Sequence, residues 1–95
     1  MLAEMATKIE VARNTMYKAA WQVDHGRLDP ALNAMAKYFA ASTAVWVCDR
    51  ALQLHGGYGF IDEYDVQRFY RDAKILEIYE GATEAEKMTI ARQLI

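Results

Sequence analysis

HGGYGFIDEYDVQRFYRDAKILEIYEGATEAEK, His55–Lys87, decides how the rest of the chain is read. It opens on Gly56, Gly57 and Gly59, runs through charges and aromatics, and closes on a glutamate beside a glycine, Glu80-Gly81. A glycine-rich turn first suggests a phosphate loop. A dinucleotide fingerprint, however, needs G-x-G-x-x-G after a strand and leading into a helix. Here Gly57-Tyr58-Gly59 is followed by Phe60, Ile61 and Asp62, a helical pattern precedes it, and no P-loop lysine follows. The backbone reading is that the glycines end a long helix and permit a sharp reversal.

Upstream, Leu2, Met5, Ile9, Ala12, Met16, Ala19 and Val23 step by three and four, the period of a helix packed in a bundle. His25-Gly26 supplies its stop. Asp29 as N-cap and Pro30 at the first helical position start a second helix, expected to run to about Leu54. Between Ala31 and Leu54 its only charges are Lys37, Asp49 and Arg50, while Leu32, Met35, Phe39, Val45, Trp46, Cys48 and Leu52 occupy more than one face. Such a helix must be covered on nearly all sides, and the expected cover is a neighbouring domain or subunit. Ala40, Ala41, Ser42 and Ala44 would let another helix approach closely.

Downstream of the glycines, Asp65 is a candidate N-cap for a short helix over VQRFYRDAK, and Ile75 to Glu80 reads as an irregular connector. A last helix begins near Thr83, where Thr83 and Glu86 have the spacing of a capping box. The expected fold is all-α and bundle-like: a long helical hairpin plus two shorter helices.

Composition narrows function by exclusion. Ninety-five residues make one domain at most, and 54% hydrophobic content with one proline favours helices. Eleven basic against thirteen acidic residues leave a net charge of -2, no field for nucleic acid or an anionic membrane. Cys48 stands alone, which excludes an intrachain disulfide and fits a reducing compartment; His25 and His55 lack metal-ligand spacing. The longest charge-free apolar stretch, Tyr38 to Cys48, falls short of the ~20 residues of a spanning helix. Met1 opens directly into an amphipathic pattern, so no secretion signal is expected.

Taken together, ALQLHGGYGF, EYDVQRFYRDAKI and IYEGAT resemble the C-terminal end of the acyl-CoA dehydrogenase family, whose chains carry A-x-Q-x-x-G-G-x-G-[FY], E-Y-P-V-x-R-x-x-R-D-A-[KR]-I and I-Y-E-G-T in this order. MATKIEVARNTMYKAAWQVDHG looks like the family's penultimate long helix, so the likeness spans essentially the whole chain. It implies most of the third, helical domain of a three-domain flavoenzyme, incomplete at its N-terminal side. Dimers or tetramers are usual in the family, and the second helix is the expected contact. Bacterial cytoplasm and mitochondrial matrix both fit.

The implied reaction removes the α-proton of an acyl-CoA thioester while the β-hydrogen leaves as hydride to FAD. By resemblance, Glu80 is the catalytic base, and its own backbone N–H is one donor to the thioester oxygen, beside Gly81. An apolar acyl pocket would raise the carboxyl pKa toward the working range. Ala82, Thr83 and Glu84 align with a segment touching this subunit's FAD; Gln53, Gly56 and Gly57 align with one touching a neighbouring subunit's FAD. Gly81 and Arg92 fall on the substrate side. Arg68, Arg71 and Asp72 read better as salt bridges and caps that fix the loop. Five positions depart from the family pattern: Ala82 replaces the usual threonine, Asp65 the usual proline, and Ala85-Glu86-Lys87 the common I-Q-R. A rival reading is a non-catalytic, stand-alone helical association module derived from the same family; another keeps the family but lets oxygen take the electrons.

Overall fold

Two long helices form an antiparallel hairpin, and everything else packs on the second of them. The computed structural model describes all 95 residues, in the order α1 (Leu2–Asp24), α2 (Pro30–His55), α3 (Gly57–Phe60), α4 (Val66–Lys74), a 3₁₀ turn (Ile75–Glu77) and α5 (Thr83–Leu94). There is no strand, as the helical periods predict.

The hairpin turn follows from local chemistry. Gly26 takes φ 72°, and the Arg27 N–H donates to the Gln22 carbonyl at 2.8 Å, closing α1. Trp21 stacks on His25 with ring centroids 4.0 Å apart. Asp29 then caps α2, its Oδ1 accepting from the Leu32 N–H at 3.0 Å, with Pro30 in the first turn. At the other end, Gly56 closes α2 at φ 61° and ψ -143°, a conformation that side chains resist. The next four residues wind into the single turn α3, which the periodicity does not predict.

Two caps differ from expectation. Asp65 precedes α4, but its side chain caps nothing and instead meets Arg68 at 3.6 Å. The Thr83/Glu86 capping box does not form: Ala82 holds the N-cap position, Thr83 is already helical, and its hydroxyl donates to the Glu77 carbonyl at 3.5 Å. The spacing was right for a box, but the helix begins one residue too early for Thr83 to serve it.

The core is small. Nine residues are buried and six of these are alanines, so the helices meet through short side chains. Ala19 of α1 clusters with Leu32 and Ala36 of α2 near the hairpin turn. No large side chain is fully buried. The accessible surface is 6772 Å² for 10.8 kDa. A self-contained monomer of this mass exposes about 5,500 Å². The radius of gyration is 15.3 Å, against about 12 Å for a compact domain of this length.

The expected cover for α2 comes largely from the same chain. α1, α4 and α5 pack around it, and every residue from Ala31 to Leu52 except Met35 is buried or half-buried. The exposed apolar surface sits on the outer elements instead, at Val11, Tyr17 and Trp21 of α1, Tyr58 and Phe60 of α3, Phe69 of α4 and Met88 of α5. No helix is long and apolar enough to cross a membrane.

Candidate active site

Glu80 is the one residue other than glycine with a left-handed backbone, at φ 55°, and Gly81 follows at φ 107°. Two such residues in succession make the corner between the 3₁₀ turn and α5. A left-handed conformation at a residue with a side chain stores roughly 1–2 kcal/mol, and such outliers concentrate at functional sites. The corner is built from both sides. Ile78 and Tyr79 donate their N–H groups to the Ile75 carbonyl at 2.9 and 3.0 Å, finishing the 3₁₀ turn. On the far side, the φ of 107° at Gly81 is one that side chains rarely adopt, and a Cβ there would also have to displace the flexible end of the Glu86 side chain.

The corner is fastened from α2. Lys37 Nζ donates to the carbonyls of Leu76 at 2.6 Å, Gly81 at 2.7 Å and Tyr79 at 3.1 Å. It has no ion-pair partner within 4.0 Å. A cavity of about 500 Å³ opens beside it, walled by Met16 and Ala19 of α1, Ala36 and Ala40 of α2, and Tyr79 and Glu80 of the corner. The wall is mostly apolar, and Glu80, itself exposed, is the one acidic residue that lines it.

The other expected residues fall in three further places. Ala82 stands at the N-cap of α5 with φ -59° and ψ 151°, followed by Thr83 and the exposed Glu84 in the first turn. No side chain caps this end, so its first N–H groups lack a capping acceptor. Gln53, Gly56 and Gly57 lie at the opposite end of α2, all exposed. The helical rise sets Gln53 about 24 Å along the axis from Lys37. Arg92 is exposed in the last turn of α5, about 14 Å along that helix from Thr83. The residues expected to serve the site therefore form a corner cluster around Glu80 and a separate glycine end, with Arg92 apart from both in the last turn of α5.

Of the charged row, Arg68 pairs with Asp65, and Lys74 pairs with Glu77 at 2.6 Å. Both pairs are local. Arg71 and Asp72 make no ion pair and instead line an exposed hollow with Tyr70, Lys74, Ile75 and Ile78. The row does not lock the connector; Lys37 does, and sequence reasoning passed over it. The available signal was its isolation, as the sole charge of α2 before Asp49: a lone ammonium in an apolar helix has to find acceptors somewhere.

An all-α wall on which Glu80, with its left-handed backbone, borders an apolar cavity is what the fold presents. The profile of the acyl-CoA dehydrogenase C-terminal domain matches residues 1–95, and the chain belongs to that family. It is 45% identical over 94 residues to a 3-(aryl)acrylate reductase of Clostridium sporogenes, covering 99% of this chain and 25% of the relative. Its backbone superposes on butyryl-CoA dehydrogenase from Megasphaera elsdenii with a TM-score of 0.94 at 44% identity, covering 98% of this chain and 24% of that one. It also superposes on the FAD complex of PigA, with a TM-score of 0.89 at 29% identity, over 94% of this chain and 23% of that one. The chain spans about a quarter of the length of the curated relatives it matches.

Proposed function

We propose that these 95 residues are most of the C-terminal domain of an FAD-dependent acyl-CoA dehydrogenase, short on its N-terminal side, and that Glu80 is the base. The observation that carries this reading is the left-handed Glu80, held on the wall of an apolar cavity. Strain of that kind persists where surrounding bonds over-determine it. The missing partner surface has a size. The surface excess over a compact monomer is about 1,200 Å², within the range of interfaces between domains of one chain.

In this reading the Glu80 carboxylate takes the α-proton of the acyl thioester, and the α C–H electron pair moves into the forming double bond. The Glu80 N–H has no acceptor within the chain, so it is free to donate to the thioester oxygen as negative charge develops there. FAD, when bound, supplies the two-electron acceptor for the β-hydrogen. The uncapped start of α5 fits an anionic group through the N–H donors of Thr83 to Ala85. The fit is by backbone alone, since Glu84 and Glu86 bring negative charge to the same turn. Gln53, Gly56 and Gly57 would serve a different flavin, that of a neighbouring subunit in a dimer or tetramer, in keeping with their distance from the corner.

The test is Glu80→Gln in the full-length protein. Exchange of the acyl-CoA α-proton with solvent is expected to fall about 10²–10⁴-fold with FAD still bound; retained exchange overturns the assignment. The reductase name of one relative favours a second reading, in which the reaction runs toward saturation and Glu80 delivers the α-proton instead of taking it. Turnover of saturated against α,β-unsaturated thioesters separates the two.

A further inference from the structure

We infer that Lys37 is a positioning residue for Glu80, an inference that rests on the proposed role of that glutamate. The geometry is specific. An ammonium has three donors, and all three of Lys37's are used on carbonyls of one six-residue segment, those of Leu76, Tyr79 and Gly81. No donor remains for a ligand, and no carboxylate competes for it.

The consequence for Glu80 follows from peptide geometry. The Tyr79 carbonyl and the Glu80 N–H belong to the same planar trans peptide, so they point in opposite directions. Drawing the Tyr79 oxygen onto Lys37 turns the Glu80 N–H away from Lys37, and that N–H has no acceptor within the chain. Drawing in the Gly81 oxygen fixes the peptide on the other side of the corner. The Glu80–Gly81 peptide itself makes no bond to Lys37, but with the peptides before and after it both held, the corner has little room to relax the φ of 55° at Glu80 toward an unstrained value. One cation on α2 thus orients two groups that it does not touch, the carboxylate and the amide of Glu80. Charged hydrogen bonds are about twice as strong as neutral ones, which suits a task that opposes backbone strain.

The test uses the full-length flavoprotein with Lys37→Met, which keeps the apolar stem and removes the donors, and Lys37→Arg, whose planar guanidinium cannot converge on three carbonyls in the same way. Two readouts are taken: the rate of α-proton exchange of an acyl-CoA with its KM, and amide hydrogen exchange over residues 76–82. For Lys37→Met we expect the maximal proton-exchange rate to fall about 100-fold, the scale of a misplacement near 1 Å. The KM should change far less, FAD should stay bound, and amide protection over 76–82 should be lost. Lys37→Arg should fall between Met and wild type in both readouts. A residue that merely stiffens the fold would lower thermal stability without separating rate from KM.

A wild-type proton-exchange rate in Lys37→Met overturns the inference, and so does a lost rate with amide protection unchanged. If the Met variant does not fold, Lys37→Arg decides alone, and wild-type values in both readouts overturn it. The amide readout is independent of what Glu80 does, so retained proton exchange in Glu80→Gln would remove the catalytic reading and leave the Lys37 clasp standing or falling separately.

Discussion

Gly59 lies so close under the end of α2 that a Cβ there would stand 2.5 Å from the Leu52 carbonyl oxygen and 3.0 Å from the His55 Cβ. Gly57, two residues earlier, has open space on that side. Gly59→Ala must therefore push apart α3 and α2, with an expected loss of about 1–3 kcal/mol. Gly57→Ala should leave thermal denaturation nearly unchanged. If Gly57 approaches a neighbouring subunit's flavin, the same substitution lowers FAD retention at unaltered stability, which flavin content after gel filtration reads directly.

Glu80→Gly should stabilise the fold while removing proton exchange. Glycine adopts a positive φ without the Cβ clash, and the gain expected at this corner is about 1 kcal/mol. Differential scanning calorimetry of wild type and variant checks this. A lower melting temperature would mean that Glu80 is not strained as its backbone indicates.

The two helix starts make a paired prediction. Asp29→Ala removes a cap bond of 3.0 Å and should lower stability by about 1 kcal/mol. Thr83→Ala removes a 3.5 Å contact at the outer limit of a hydrogen bond and no cap, so its effect should be well under that of Asp29→Ala. Equal losses in chemical denaturation would restore the capping box at α5.

Cys48 is half-buried in α2, and burial pushes its thiol above the ordinary range. A raised value means fewer thiolates at any given pH, and the thiolate is the species that reacts. Alkylation by iodoacetamide in the folded protein should reach half its maximal rate at a higher pH than in the denatured chain. The linked effect on folding has a definite sign: as pH rises through the ordinary thiol range the unfolded chain ionises first, so stability falls there. Coincident rate profiles, folded and denatured, would refute both statements.

Much of the fold could be read beforehand, because the signals were local. Asp29-Pro30 started α2 where a cap and an imino acid must, and Gly26 and Gly56 ended α1 and α2 where left-handed backbone was required. α3 escaped because a single turn over Gly57–Phe60 has no periodicity to detect. The capping box failed because spacing cannot fix which residue is the first helical one. At the site, Glu80 and Gly81 were legible as a motif, whereas their conformation was not. It depends on Lys37, 43 positions earlier, and bonds to main-chain carbonyls leave no mark on the sequence of the acceptors.

α1, α4 and α5 all pack on α2, while α1 packs substantially on nothing else. The molecule is wired like a hub with spokes. Perturbations on different spokes share few partners, so substitutions on the outer faces of α1 and α5 should add independently. For a domain that must fit several neighbours at once, this is a practical freedom: one flank can drift in sequence to suit a new partner while the other, and the corner between them, keeps its shape.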